Sequence, residues 1–367
     1  MKKVLVAMSG GVDSSVCAAL LVEQGYECVG VTMQMLDTQS SVSDIHDAAK
    51  VCQKLGIEHK VLDERQWFKQ LVIDQFVLAY EGGTTPNPCI LCNRDLKFGR
   101  LWHYAQSLGC DFLATGHYAQ IKRDEQGQAH VLRGVNPVKD QSYVLWPVPQ
   151  STLQHILLPL GSFETKEQVR QVAQDFGFEI AHKSDSQDIC FIPDGHYQKF
   201  LEEYRGCPPE PGPIMDEFGE IVGVHKGLTS YTLGQRKGVG VAAQRKIYVT
   251  GKDAKTNTLF VGDNAYLFNT QYYAKDVNWI SGKIPDQPVQ AQVCSTYQGF
   301  LFDAIITPLE EGRVHIQTEK EMRAVCPGQS TVAYSGDEVI FGGIIEAPEN
   351  PPLTAMQQFM LEDTLDF

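Results

Sequence analysis

The chain opens with a short apolar run, Val4-Leu5-Val6-Ala7-Met8. It breaks into Ser9-Gly10-Gly11-Val12-Asp13-Ser14-Ser15 and resumes as a helical pattern from Val12 to Leu21. A buried strand, a glycine-rich turn and a helix in that order leave few folds open. The turn presents backbone N–H groups, backed by the positive end of the helix dipole, to an anion. Ser14 and Ser15 suit the first helical turn, and Gly25 suits the helix end. A phosphate or pyrophosphate is the expected guest, so the chemistry begins with a nucleotide.

Strand and helix patterns then alternate. Strands are expected at Glu27 to Met33, His59 to Leu62 and Phe112 to Thr115, with helices from about Asp44 to Leu55, Trp67 to Tyr80 and Asp95 to Ser107. This rhythm predicts an α/β fold with a doubly wound parallel sheet and ligands at the carboxyl ends of its strands, where Met33 and Gly116-His117-Tyr118 fall. Ala119 to Arg133, turning near Gln126-Gly127, reads as a hairpin, and Thr165 to Gln168 reads as a capping box whose helix ends at Gly177. The stretch Pro208-Pro209-Glu210-Pro211-Gly212-Pro213 cannot be helix interior and marks a linker. The expected organisation is a catalytic domain over 1–200, a small central β-rich domain over 201–270, a C-terminal β-barrel over 271–346 and an acidic tail over 347–367.

A chain of 367 residues accommodates these units. It has no apolar run of 18 residues, so no membrane span is expected. Met1-Lys2-Lys3 runs straight into a strand too short for a signal peptide, which predicts a cytoplasmic protein with reduced thiols. The net charge of −14 argues against indiscriminate nucleic-acid binding. A local basic face is nevertheless expected: Lys226, Arg236, Lys237, Arg245, Lys246 and Lys252 lie in a stretch without Asp or Glu. Tyr231 and Tyr248 are the residues there that suit base stacking.

Of the ten cysteines, Cys89, Cys92 and Cys190 carry the chemical interest. Cys17, Cys28, Cys52 and the rest fit packing roles. Cys89-Ile90-Leu91-Cys92 follows Pro86-Asn87-Pro88 and precedes the helix near Lys97, a position near a helix N-terminus that favours a reactive thiolate at Cys92. Cys190 falls in a polar turn expected to enter an apolar strand. A tetrahedral zinc site would want a second close pair of ligands, and the sequence offers none. Two options stay open: a nucleophile with a partner thiol, or a three-thiolate iron–sulfur site.

The glycine turn lacks the pattern G-x-x-x-x-G-K-[ST] and has no lysine at its helix start, which weakens a γ-phosphoryl-transfer reading. It resembles the loop of the ATP pyrophosphatases, which split ATP between the α and β phosphates. Further motifs follow in order: Pro86-Asn87-Pro88-Cys89-Ile90-Leu91-Cys92-Asn93 with Lys97-Phe98, Thr115-Gly116-His117-Tyr118 and Lys139-Asp140-Gln141-Ser142-Tyr143. After them come Asp185-Ser186-Gln187-Asp188-Ile189-Cys190-Phe191-Ile192, Tyr231 to Gly238, Pro327-Gly328-Gln329-Ser330 and Gly342-Gly343-Ile344-Ile345. Together they closely resemble the bacterial tRNA-specific 2-thiouridylases over about residues 1 to 346.

That resemblance implies an enzyme that replaces O2 of the wobble uridine of tRNA with sulfur after ATP has adenylated that oxygen. Ala7, Met8, Ser9, Gly10, Gly11, Val12, Asp13, Ser14, Met33 and Gly116 would hold ATP, with Asp13 near the pyrophosphate through Mg²⁺. Cys190 would carry the sulfur as a persulfide and Cys92 would be the nucleophile, the two forming a transient disulfide. Asn87, Pro88 and Cys89 match the stretch that meets a flipped-out target base. His117, Lys139, Asp140, Gln141 and Gln329 match tRNA-contacting positions, and Arg236 and Lys237 would add phosphate contacts. The implied partners are tRNA with a wobble uridine and a sulfur donor, either a cysteine desulfurase or a sulfur-relay protein.

Two departures stand out. The family often has an acidic residue where this chain has Cys89, which favours the alternative of an iron–sulfur cluster on Cys89, Cys92 and Cys190. In the barrel, the family's basic Lys-x-Arg-Tyr pattern reads Cys294-Ser295-Thr296-Tyr297, so contacts by Thr296 and Tyr297 are expected to be weaker. A reading of another class is a non-catalytic RNA-binding protein on a nucleotide-binding fold, which would predict a damaged loop.

Overall fold

The computed structural model describes residues 1–183, 189–242 and 245–348. Its first sheet is parallel, in the order β3 (Glu58–Asp63), β2 (Glu27–Gln34), β1 (Lys3–Ala7), β4 (Phe112–Ala114), β7 (Ile156–Leu157). The chain winds outward from β1 to β2 and β3, then returns to β1's other side as β4. The carboxyl ends of β1 and β4 therefore flank the point where the winding reverses, the usual ligand crevice of such sheets.

Val4, Leu5 and Val6 of β1 are fully buried, and alternation sends them to opposite faces. Val4 and Val6 pack under α1 (Val12–Glu23), α2 (Gln39–Leu55) and the later helix over Lys166–Asp175. Leu5 joins a core on the other face with Ile90, Phe98, Leu101 and Trp146. The expected helix near Trp67 is assembled from α3 (Arg65–Phe68), a π-helical turn over Lys69–Ile73 and α4 (Asp74–Glu81).

The helix expected from Asp95 begins earlier. Asn87 caps it by accepting the Cys89 N–H at 3.1 Å, and Pro88 occupies the first position. It runs as α5 (Pro88–Leu91), a π-helical segment over Cys92–Arg100 and α6 (Leu101–Ser107). The Leu101 N–H, bonded to the Leu96 carbonyl five residues back, marks the wider register.

The hairpin forms as β5 (Ala119–Arg123) and β6 (Ala129–Arg133), and it belongs to the barrel's sheet. Strands β12 (Phe268–Trp279), β15 (Val314–Arg323), β14 (Phe302–Pro308), β13 (Val289–Cys294), β16 (Ser330–Ser335) and β17 (Glu338–Ile345) pair in that order, and β12 closes on β17. The start of β17 also pairs with β6, Val339 opposite Val131. The first domain's core accordingly continues into the barrel through Ile280, Cys294, Val332 and Tyr334. Trp146 donates to Ser330 Oγ at 3.1 Å, Tyr143 to the Ser330 carbonyl at 2.7 Å, and Asn278 Nδ2 to the Trp146 carbonyl at 2.6 Å.

Between these units lies a four-stranded sheet, in the order β10 (Tyr248–Asp253), β11 (Thr258–Gly262), β8 (Gly212–Met215), β9 (Ile221–His225). A helix over Tyr197–Arg205 leads to it across residue 200, and β12 starts at Phe268, slightly before 271. Among the described residues no helix is long and apolar enough to cross a membrane.

Candidate functional site

The glycine turn leaves β1 at Ala7 and enters α1 at Val12. Gly10 has φ of 70°, and a Cβ there would collide with the Asp44 backbone, so only glycine fits. Ser14 Oγ accepts the Ser9 N–H at 3.1 Å and donates to the Gly11 carbonyl at 3.1 Å, and Ser15 Oγ reaches the same carbonyl at 2.9 Å. The two hydroxyls sew the turn to itself. Gly11 caps α1 without a side chain, which leaves the first-turn N–H groups open to an anion. Gly116, just beyond β4, backs directly on the turn: a Cβ there would lie 2.9 Å from the Ser14 nitrogen. Met33, near the carboxyl end of β2, packs in the cluster that holds Cys92.

Asp13 faces this crevice between two donors from far along the chain. Lys166 Nζ lies 2.7 and 2.8 Å from its carboxylate oxygens, and the Tyr118 hydroxyl donates at 2.6 Å. Lys166 is buried as the first residue of the helix over Lys166–Asp175, where the expected Thr165–Gln168 capping box fixes it. Lys183 Nζ binds the Gly10 carbonyl at 3.0 Å, Asp44 at 2.8 Å and Asp47 at 2.7 Å. No lysine stands at the helix start in the sequence; the fold supplies two from beyond residue 160. The capping box was legible in sequence, but its aim at Asp13 was not.

Cys92 departs from the expectation of an activated thiolate. With Asn87 as cap, it stands beyond the first helical turn, where dipole stabilisation has faded. It is buried with Leu96, Phe76, Phe191 and Ile192. Burial pushes its thiol up to about 12, and the Lys97 ammonium opposes that rise. Cys89 is exposed three residues earlier on the same helical face. Cys190 is exposed on a turn, not at the start of a strand: Phe191 and Ile192 plug into the Cys92 cluster before the helix over Tyr197–Arg205. Desolvation raises the Cys190 thiol, and Cys89 adds to the rise while Lys97 counters it. Asp185, Ser186, Gln187 and Asp188 lie outside the described residues.

Among the described residues no group of three or more His, Cys, Asp or Glu side chains is arranged to hold a metal ion. Cys89, Cys92 and Cys190 neighbour one another without forming a three-thiolate pocket as they stand. Asp13 is already engaged by Lys166 and Tyr118, so a cation there would have to share it.

The expected RNA-facing residues divide into exposed and bracing groups. Arg236, Lys237, Thr296 and Tyr297 are exposed. Asp140 braces a turn, accepting the Gly134 and Ser142 N–H groups at 2.9 and 3.0 Å, while Gln141 Oε1 accepts the Tyr118 N–H at 3.0 Å. Lys139 beside them is half-buried. Gln329 donates to the Thr85 carbonyl at 2.8 Å, and the Thr85 N–H donates to the Pro327 carbonyl at 2.9 Å, tying a barrel turn to the segment before Asn87. The Tyr297 hydroxyl reaches the Asp140 carbonyl at 3.0 Å, in a position that feels the Cys89 charge. His117 is buried, bonded to Thr115 Oγ1 at 2.7 Å, and held below the usual histidine range by burial and then by Lys97.

The basic face is also smaller than its sequence. Tyr231 is buried and unavailable for stacking, and Tyr248 lies under the Arg323 guanidinium. Lys252 donates to the Tyr231 carbonyl at 3.0 Å, with burial pulling its ammonium down to about 8. Arg245 pairs with Glu217. Lys226, Arg236, Lys237 and Lys246 remain as exposed cations.

Residues 2–194 match the family model described as the tRNA methyl transferase HUP domain, 198–263 its PRC-barrel domain, and 269–345 the aminomethyltransferase beta-barrel domain. A protein of Acetivibrio thermocellus called tRNA-specific 2-thiouridylase MnmA is 45% identical over 94% of this chain and 99% of its own length. A protein of Carboxydothermus hydrogenoformans with the same name is 44% identical over 94% of this chain and 98% of its own. Among solved structures, the U34-tRNA thiolase NcsA of Methanococcus maripaludis with its [4Fe-4S] cluster matches with 21% identity and a TM-score of 0.36. The match covers 55% of this chain and 66% of that one, and at that distance it carries no argument.

Proposed function

The chain belongs to the tRNA-specific 2-thiouridylase family, and from that premise we propose that it is a tRNA-uridine 2-sulfurtransferase whose residues divide the reaction as follows. The Ser9–Ser14 turn, with Ala7, Met8, Met33 and Gly116, holds ATP. Lys166 offsets the charge of Asp13 beside the departing pyrophosphate, Lys183 ties the turn to α2 through Gly10, Asp44 and Asp47, and Mg²⁺ would come bound to the triphosphate. O2 of the wobble uridine attacks the α-phosphate, pyrophosphate leaves, and the poor leaving group becomes AMP.

Cys190 receives a sulfur atom from a protein persulfide, supplied by a cysteine desulfurase or relay protein. Its terminal sulfur attacks C2 of the adenylated uridine and AMP departs. The Cys92 thiolate then attacks the inner sulfur of Cys190. The Cys92–Cys190 disulfide forms, the C–S bond remains on the base as the thiocarbonyl, and an external thiol reduces the disulfide. Asn87, Pro88 and Cys89 border the base, while Arg236, Lys237, Lys139, Thr296, Tyr297 and Gln329 lie along the path of the RNA. Asp140, Gln141 and His117 act by shaping that path, and the reaction takes place in the cytoplasm.

The observation that supports this reading most is a physical linkage. Gly116 backs the anion turn, His117 follows it, and Lys97 faces His117, Cys92 and Cys190 together. An adenylating loop and candidate sulfur carriers thus share one crevice. A non-catalytic role fits poorly, because nothing in the loop is damaged. The same reaction through an iron–sulfur cluster would need Cys89, Cys92 and Cys190 to regroup, and no step is derived through one. The test is incubation of the protein with unmodified tRNA, ATP and a persulfide donor. Formation of 2-thiouridine with equal AMP and pyrophosphate is expected, and ATP-independent thiolation would overturn the reading.

A further inference from the structure

Lys97 is a half-buried lysine with no carboxylate partner among the described residues. The other cations of its helical segment are committed, Arg94 to Asp95 at 2.8 Å and Arg100 to Glu64. An ammonium at the edge of an apolar cluster, with no carboxylate beside it, is placed to receive a visiting anion. What faces it is neutral at rest: the buried Cys92 thiol, Cys190 and the His117 ring, which is itself uncharged.

The helix geometry accounts for this placement. In an α-helix, with 3.6 residues per turn, residue 97 would lie about 1.4 turns beyond residue 92 and point to another flank. The segment Cys92–Arg100 is π-helical, and its i→i+5 bonding carries Lys97 back over Cys92. Gly99 permits the wide register, since a Cβ there would press on the Arg94 carbonyl. A long π-helical segment is costly relative to α-helix and is typical of functional positions.

We propose that Lys97 is the counter-ion for the sulfur anions of the transfer sequence, holding the negative charge first on the Cys190 persulfide and then on the Cys92 thiolate. This rests on the sulfur-transfer reading above. Among the described residues, the charged and titratable groups facing Cys92 are Lys97, Cys190, Cys89 and Asp95, and those facing Cys190 are Cys89 and Lys97; Lys97 is the one cation in either set. It bonds to no reacting atom and moves no proton. Its effect is electrostatic, and it is strongest at the buried Cys92.

The experiment compares the wild type with Lys97→Met and Lys97→Arg in three measurements. The first is the pH dependence of iodoacetamide modification of the exposed Cys190, resolved by peptide mass spectrometry. The second is single-turnover 2-thiouridine formation, and the third is tRNA-dependent pyrophosphate release. Lys97→Met is expected to move the alkylation profile roughly one to three pH units upward. It should slow thiolation by roughly 10- to 100-fold and leave pyrophosphate release intact, while Lys97→Arg restores most of both losses. An unmoved alkylation profile, or equal loss of pyrophosphate release and thiolation in Lys97→Met, would overturn the proposal. Failure of the wild type to release pyrophosphate would instead count against the adenylation reading, and the alkylation profile would still judge Lys97.

Discussion

Lys166 and Asp13 stand 153 residues apart in the chain, yet the lysine ammonium lies 2.7 and 2.8 Å from the two carboxylate oxygens at the mouth of the anion turn. A carboxylate beside a triphosphate is repulsive unless its charge is offset, and Lys166 does this from within the protein. Lys166→Met is expected to lower tRNA-dependent pyrophosphate release by roughly 100-fold or more, with Lys166→Arg intermediate. Undiminished release in the methionine variant would reduce the pair to a structural role.

The two-thiol chemistry predicts separate losses from Cys190→Ala and Cys92→Ala. Both variants should yield no 2-thiouridine by nucleoside mass spectrometry, and both should bind tRNA nearly as tightly as the wild type in a filter assay. Thiolation that survives Cys190→Ala would remove the persulfide from that residue.

Thiol accessibility gives an order of reaction. Cys89 is exposed, whereas Cys92 is buried and pushed up to about 12, so its thiolate is roughly one part in ten thousand at pH 8. Limited iodoacetamide treatment should label Cys89 well before Cys92, and urea should erase the difference. Early labelling of native Cys92 would mean that the cluster of Phe76, Phe191 and Leu96 opens readily.

The seam between hairpin and barrel should respond to pH. His130 Nδ1 lies 2.6 Å from Glu338, whose hydrogen bond, helped by Asp124, raises the histidine above its ordinary value. A raised folded-state value means stabilisation that is present in full below the unfolded value of about 6.5 and is lost as pH rises through the folded value. Thermal scans from about pH 6 to 8 should show a fall in melting temperature that is smaller in His130→Gln. Identical slopes would place the dependence elsewhere.

Trp146 locks the catalytic domain to the barrel from a fully buried position. Trp146→Ala is expected to cost about 3–5 kcal/mol. In the wild type the first domain and barrel should unfold in one calorimetric transition, because their core is shared. Two well-separated transitions for these units would contradict that continuity.

The parallel sheet and its ligand edge were legible because Val4–Met8 and Ser9–Ser15 encode strand, turn and helix locally. The hairpin was legible for the same reason, but its allegiance was not, since β6 pairs with a strand some two hundred residues away. Cys92 shows the limit on the site side. Pro86 and Pro88 suggested that the helix began after the cysteines, whereas Asn87 and Pro88 are its cap and first residue. That shift of about two turns changes an activated thiol into a buried one. Lys166 and Lys183 carry no local phosphate motif, so only the tertiary fold could bring them to the turn.

The pairing of β6 with β17 also sets a timetable for biosynthesis. As the chain leaves the ribosome, the hairpin emerges with one edge bare, some two hundred residues ahead of its partner strand. Until then Val131 and its neighbours face solvent or a chaperone, and a truncation just short of Glu338 would leave an adhesive edge on the catalytic half. Completion of the last barrel strand is thus the step that renders the first domain safe from its own kind.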